Sequence, residues 1–293
     1  LGVDMKGGYS ANVSFVEGTK VDAETFRDYL KKELGGEPIV KAVDVKNTYN
    51  ITTSYKIDDP NPDVNEEVLA KIHKSVVEIT KKDIPLDEFK KADAKGTHIA
   101  SFSKVGPTVA DDIKTSSFTA AILALAAIFI YILFRFNRWQ FSLGAIIALV
   151  HDSLVVLGLF SLLHGFVWFS MEIDQAFIAA LLTVIGYSMN DTVIIFDRIR
   201  EFAGTNLSST KTEVINAAIN STLGRTIITS LITFGVMIIM FIFGGDSIKG
   251  FTFAILIGIV FGTFSSIFIA GSIVHDLVAD IRPKTVAGKA ATK

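Results

Sequence analysis

No cysteine occurs anywhere in the 293 residues, which excludes disulfides, Cys-ligated zinc and thiol nucleophiles while leaving the compartment open. Neither sign of charge dominates. The net charge is −2, so the basic footprint of a nucleic-acid binder is missing. No basic stretch followed by an apolar one opens the chain, so no signal segment is read there. No His/Asp/Ser constellation and no phosphate-binding loop stands out either. An enzyme is therefore not expected, and neither a cofactor nor a metal site is. What the chain has in quantity is apolar surface: 50% hydrophobic residues, 23 Phe and a mean hydropathy of +0.46. Those values suit a chain that lies partly in a membrane and partly in water.

The two parts separate by composition. Residues 1–115 hold most of the charge, with only short apolar stretches. Ala11–Val16 reads as a strand, and Asp22 offers an N-cap to an amphipathic helix over Ala23–Leu34 that Gly35-Gly36 stops. Ile39–Val45 and Tyr49–Ile57 alternate like paired strands about a turn at Lys46-Asn47-Thr48. Asn61 caps a second helix with Pro62 at its first position. A last strand over His98–Val105 completes β-α-β-β-α-β, the ferredoxin-like split βαβ order. The charged segment Lys81–Gly96 reads as a surface loop, and His73 and His98 as structural or solvated residues.

From Phe118 onward five apolar segments follow, Phe118–Phe134, Phe141–Leu163, Ala176–Phe196, Thr226–Phe243 and Phe251–Val274. A bilayer takes about 20 residues of helix, so these are read as spanning helices. The expected fold is thus a polytopic α-helical membrane protein with an N-terminal α+β domain. Its divisions are residues 1–115, a bundle over 116–280 and a tail over 281–293.

Arg135 and Arg138 fill the first link, Arg198, Arg200 and Lys211 lie in the third, and Arg282, Lys284, Lys289 and Lys293 in the tail. The second link has Glu172 and Asp174 with no Lys or Arg, and the fourth balances Asp246 against Lys249. Basic links mark the cytoplasmic side, which places the tail inside and residues 1–115 outside. Trp139 and Trp168 are expected at opposite interfaces. An outside domain followed by an odd number of crossings needs an anchor upstream, so a helix before Leu1 is expected.

Asp191 lies past the middle of the third apolar run. An acid at the centre of a spanning helix costs roughly 2.5–3.5 kcal/mol, so such residues are rare, are usually paired and mark ion or proton pathways. Thr183, Tyr187 and either Asn190 or Asp191 share a face at helical spacing, and that face is expected to point into the protein. Arg225 opens the fourth run at the end toward which Asp191 lies. Alternation between a paired and an unpaired state would let Asp191 take and release a proton. A positive-inside anchor is the plainer role for Arg225. His151-Asp152 falls about 11 residues into the second run, roughly 16 Å at helical rise, which makes Asp152 a second relay candidate. Asp197 within Asp197-Arg198-Ile199-Arg200-Glu201 reads as a solvated or capping cluster. Gly258 and Gly262 suggest close helix packing.

These residues carry a resemblance. Leu1-Gly2-Val3-Asp4-Met5-Lys6-Gly7-Gly8, Val105-Gly106-Pro107, Ala148-Leu149-Val150-His151-Asp152, Gly186-Tyr187-Ser188-Met189-Asn190-Asp191-Thr192 and Gly224-Arg225-Thr226 resemble the motifs of the SecF family. That family is the smaller half of the SecD–SecF protein-export complex in the resistance–nodulation–division superfamily. The resemblance covers nearly the whole chain. It implies a multi-pass protein of the bacterial inner membrane with residues 1–115 periplasmic and the C-terminus cytoplasmic. Its partners would be SecD (separate or fused), the SecYEG channel, membrane lipid and the unfolded protein in transit, with no nucleic acid. Proton or sodium motive force would drive late steps of export, with the acid matching Asp191 and the arginine matching Arg225 tied to ion use. From their place in the apolar runs, Asn190 and Asp152 are expected beside them in the relay. The family's first helix and the SecD half are not in this sequence, so Leu1 begins either a fragment or the SecF portion of a fused SecDF chain. A lipid or drug exporter of the same superfamily and a non-transporting translocon scaffold are the alternative readings.

Overall fold

In the computed structural model, residues 1–16, 18, 19, 21–43, 47–92, 95–164, 166, 167, 169–205 and 208–281 are described. They fall into two units: Leu1–Phe118 with His164–Phe177 and Gly244–Gly250, and Thr119–Leu163 with Ile178–Phe243 and the chain from Phe251 on.

The first unit is built from α1 (Val3–Lys6), β1 (Gly8–Ser14), α2 (Ala23–Leu34), β2 (Ile39–Ala42), β3 (Thr48–Thr53), α3 (Asp63–Thr80), α4 (Leu86–Phe89) and β4 (His98–Val105). Its sheet runs β2-β3-β1-β4, every neighbour antiparallel. The register shifts between Asn12 and Val13, which pair with Ser101 and Ile99, so Ala100 is the extra residue of a bulge on β4. Alternate residues of β1 (Tyr9, Ala11, Val13) turn inward with Ile51 and Ile99. Phe26, Leu30 and Leu34 of α2 and Val64, Val68, Ile72 and Val76 of α3 cover them.

Local signals account for the well-placed ends. Asp22 Oδ2 accepts from the Thr25 N–H at 2.9 Å and starts α2, and Gly35 at φ 69° ends it. The second cap is shifted by one residue. Pro62 is already helical and α3 begins at Asp63, whose N–H donates to Asn61 Oδ1 at 3.0 Å. β3 stops at Thr53 rather than Ile57, because Lys56 takes φ 44° and both Tyr55 and Lys56 bond Glu67 of α3. β1 begins earlier and ends earlier than expected. In the segment after α3, α4 is one turn that carries the fully buried Phe89 against the His73 ring. His73 Nε2 lies 2.6 Å from the Ile84 carbonyl and His98 Nδ1 2.8 Å from the Gly96 carbonyl, both structural bonds. Val45, Lys46, Trp168 and the tail basic residues Arg282, Lys284, Lys289 and Lys293 lie outside the described residues.

Among the described residues five helices are long and apolar enough to cross a membrane. They are α5 (Pro107–Phe136), α6 (Trp139–Leu163), α7 (Gln175–Thr205), α8 (Lys211–Phe243) and α9 (Asp246–Ser265), which continues through a π turn at Ser266–Ala270 into α10 (Gly271–Leu277). Pro107 occupies the first position of α5, where its missing N–H costs nothing. Helix α8 begins well before its apolar run because Val214, Ile215, Ala218 and Thr222 form a buried stripe at helical spacing. Large apolar side chains such as Phe118 and Phe134 on α5 and Leu231 and Ile232 on α8 stand exposed, as lipid contact demands. Within the second unit, one cluster joins Ile132 and Phe136, Phe141 and Ala145, Ile195 and Phe196, Val214 and Ala218, and Ala270 and Val274. The Phe136 and Phe141 rings stack 5.2 Å apart, and Phe196 meets both edge-on.

Candidate functional site

The polar residues of the bundle gather between α6, α7, α8 and α9. Glycine makes this possible. A Cβ on Gly258 would fall 2.1 Å from Val184 Cγ2, and one on Gly262 would fall 3.0 Å from Ser188 Cβ, so α9 lies hard against α7 at both positions. The spacing of the two glycines pointed to this approach.

Asp191 is 1% exposed. The one hydrogen bond it receives among the described residues comes from Ser230 Oγ of α8, at a long 3.4 Å. Ser230 is itself shared: the Tyr187 hydroxyl donates to it at 3.2 Å, and Thr263 Oγ1 of α9 lies 2.7 Å away. Asp152 is wholly buried and differently held. Its Oδ2 accepts from Ser188 Oγ of α7 and Ser265 Oγ of α9, each at 2.7 Å, and His151 Nδ1 stands 3.1 Å from Oδ1. A third pair, Thr192 Oγ1 and Ser266 Oγ at 2.8 Å, ties α7 to the π turn, and Ser266 also donates to the Ser188 carbonyl at 3.1 Å.

The expected inward face of α7 is divided. Ser188, Asp191 and Thr192 are buried, whereas Thr183, Gly186 and Asn190 are exposed. Asn190 precedes Asp191 by about 100° of helix rotation, so the two cannot share a side. Thr183 spends its hydroxyl on the Ala179 carbonyl one turn back. Arg225 is exposed on α8, five residues before Ser230, and makes no ion pair with Asp191 among the described residues. Two neighbouring hydroxyls differ: the buried Thr226 Oγ1 has no partner among the described residues, while Thr229 bonds the Arg225 carbonyl. Asp197 pairs with Arg135 of α5 at 2.8 Å and with Arg200 at 3.1 Å, and is half-buried. Lys211 Nζ bonds the carbonyls of His275 and Val278 and so caps α10.

Among the described residues no group of three or more His, Cys, Asp and Glu side chains could hold a metal ion. The arrangement can take up, hold or pass a proton or a small cation along hydroxyls and carboxylates. Sequence reasoning missed Thr263, Ser265 and Ser266. Their signal is the run of hydroxyl residues that follows the Gly258/Gly262 pair in an otherwise apolar segment.

The family described as protein export membrane protein SecD/SecF, C-terminal, matches residues 86–280. The protein translocase subunit SecF of Rhodothermus marinus is 43% identical over 279 residues, 95% of this chain and 83% of that protein. The protein translocase subunit SecDF of Brucella abortus biovar 1 is 44% identical over 166 residues, 57% of this chain and 21% of that one. Among solved structures, SecDF in its super-membrane-facing form superposes with a TM-score of 0.62 at 27% identity, covering 100% of this chain and 36% of that chain.

Proposed function

Because the chain belongs to the SecD/SecF family of protein export membrane proteins, on its SecF side, we propose that it is the SecF half of an ion-driven export motor. A multi-pass membrane protein of this family has a role in protein export. In the finer reading, proton or sodium motive force drives late steps of export across the inner membrane, and Asp191 is the group that exchanges the ion. The observation that carries this is a carboxylate 1% exposed in a spanning helix and served, among the described residues, by a single 3.4 Å hydroxyl donor. A carboxylate has about four acceptor positions, so Asp191 has room for an arriving proton or cation. Such groups inside membranes mark ion pathways.

Arg225 and Asn190, both exposed on their helices, complete the relay with a SecD half. A SecDF relative that contains both halves in one chain supports that partner. SecYEG and the unfolded chain in transit are the further partners, residues 1–115 lie in the periplasm, and the tail lies in the cytoplasm. One proton crossing 100 mV releases about 2.3 kcal/mol, enough to bias two conformations separated by a few kcal/mol.

The test is export from vesicles carrying the full complex, resolved in pH and sodium, with wild type beside Asp191→Asn. The variant should insert and assemble yet lose the export that depends on ion motive force. Undiminished export in the variant would reduce the chain to a scaffold.

A further inference from the structure

The two buried acids of the bundle differ in how they are held, and the difference assigns them different work. Asp152 has three partners from three helices: Ser188 of α7 and Ser265 of α9 on Oδ2, and His151 of its own helix on Oδ1. Asp191 has one. Among the described residues no hydrogen bond joins the Asp152 group to the Asp191–Ser230–Tyr187–Thr263 group.

Ser188 stands three residues before Asp191, one turn away and on the same side of α7. It is fixed at three atoms. Its hydroxyl is held by Asp152, its carbonyl accepts from Ser266, and its Cβ rests against Gly262, where an added Cβ would come within 3.0 Å. Thr192, the residue after Asp191, is tied to Ser266. Asp191 is therefore bracketed on both sides by residues anchored to the end of α9 and its π turn, while its own side chain is nearly free. The π turn begins at Ser266, directly after Ser265. Wider turns of this kind occur mostly at functional sites. Here one begins at the second of two adjacent serines, which bond different places: Ser265 the Asp152 carboxylate of α6, and Ser266 Thr192 and the Ser188 carbonyl of α7.

We propose that Asp152 is a positioning residue: by drawing the Ser188 and Ser265 hydroxyls onto one carboxylate oxygen it sets where α7 presents Asp191, and it does not itself carry the transported ion. This rests on the reading of Asp191 as the exchanging group. It parts Asp152 from the relay, where its place in the sequence alone had put it.

Asp152→Asn keeps an acceptor oxygen of the same shape for both serine hydroxyls, and its amide can donate to His151, but it cannot bind and release a proton at neutral pH. Asp152→Ala removes the acceptor and leaves two buried hydroxyls unpaired. Export driven by ion motive force is measured in the full complex for both variants beside Asp191→Asn. The protonated-carboxyl infrared band of Asp191 is followed in parallel, assigned by its absence in Asp191→Asn. The expected result is export within about twofold of wild type for Asp152→Asn, a like-for-like acceptor. Asp152→Ala should lose on the order of tenfold or more, the scale of a misplaced reacting group, and should shift the Asp191 band while Asp152→Asn leaves it in place.

Loss of export in Asp152→Asn equal to that in Asp191→Asn overturns the clamp and leaves the Asp191 reading standing, as does a titrating carboxyl band that vanishes in Asp152→Asn. Undiminished export in Asp191→Asn overturns the relay reading and the clamp with it. If Asp152→Ala does not insert, Ser188→Ala and Ser265→Ala make the same comparison. Each should weaken export and move the band, and full activity with an unmoved band in both refutes the proposal.

Discussion

Gly258→Ala is the smallest perturbation that addresses the packing on which the buried polar cluster depends. The new Cβ would lie 2.1 Å from Val184 Cγ2, 2.5 Å from Cγ1 and 2.8 Å from Cβ. Rotation of Val184 does not relieve this, because its Cβ is itself inside contact distance. Carbon atoms rest about 3.5–4.0 Å apart, so α9 and α7 must separate by roughly 1.5 Å at this level. Overpacking of that kind costs about 1–3 kcal/mol. The separation also loosens the bonds from Ser266 to the Ser188 carbonyl and to Thr192 Oγ1, one and two turns along, each worth about 1 kcal/mol. Stability is read from unfolding in detergent or bicelles, and helix separation from cysteine cross-linking between positions on α7 and α9 in this otherwise cysteine-free chain. Gly158→Ala on α6 and Gly235→Ala on α8 are the controls, since a Cβ at either meets nothing within 4 Å. A Gly258→Ala protein as stable as those controls, with unchanged cross-linking, would refute the close approach and the argument built on it.

Two further outcomes follow from the first unit. Lys41 Nζ lies 2.7 Å from Glu172 Oε2, with the glutamate side chain 9% exposed and its second oxygen without a partner among the described residues. Lys41→Met should therefore destabilise the 169–174 segment by about 3 kcal/mol and raise its hydrogen exchange, and adding Glu172→Gln should restore most of the protection. Unchanged exchange in the single variant would count against the pair. The second outcome concerns acid. Backbone and hydroxyl bonds from Thr25 hold Asp22 below its ordinary 3.8, and bonds from Tyr55 and then Lys56 hold Glu67 below its ordinary 4.5. A carboxylate depressed in the folded state contributes stability that is complete above its unfolded value and is lost as pH falls through the folded one. Exchange at the start of α2 and between β3 and α3 should therefore rise only below about pH 4.5. Asp22→Ala should show a faster start of α2 already at neutral pH and less further change in acid.

How far the sequence speaks depends on whether a feature is local. Helix α2 and strand β4 fall at the residues expected, and for α2 the reason is that Asp22 and Gly35 are complete signals in themselves. The spanning runs were legible for the same reason, as hydropathy over twenty residues needs no partner. Their water-side extensions were not: Lys211–Arg225 is amphipathic, and its stripe is defined by what it packs against. Spacing also left Asn190 and Asp191 as equal candidates for the inner face. Their order was decided by Gly258 and Gly262, which bring α9 against Val184 and Ser188 and so turn Asp191 inward and Asn190 out. The hydroxyls that hold the two acids come from positions scattered over α7, α8 and α9, and no single segment announces them.

That distribution bears on the chemistry as well. A carboxylate removed from water must recover in hydrogen bonds what it loses in hydration, or be neutralised. Asp152 recovers much of it from two 2.7 Å hydroxyl bonds and a histidine, so its surroundings change little unless three helices move. Asp191 recovers little from the one 3.4 Å bond it receives among the described residues, so on the proposed reading an arriving cation or proton would meet less competition there. Ser230 is shared with Tyr187 and Thr263 and can turn toward either when Asp191 is neutralised. On the proposed reading the same bundle thus contains one acid built to stay where it is and one left free to change partners, and the difference lies in serines and threonines rather than in the acids themselves.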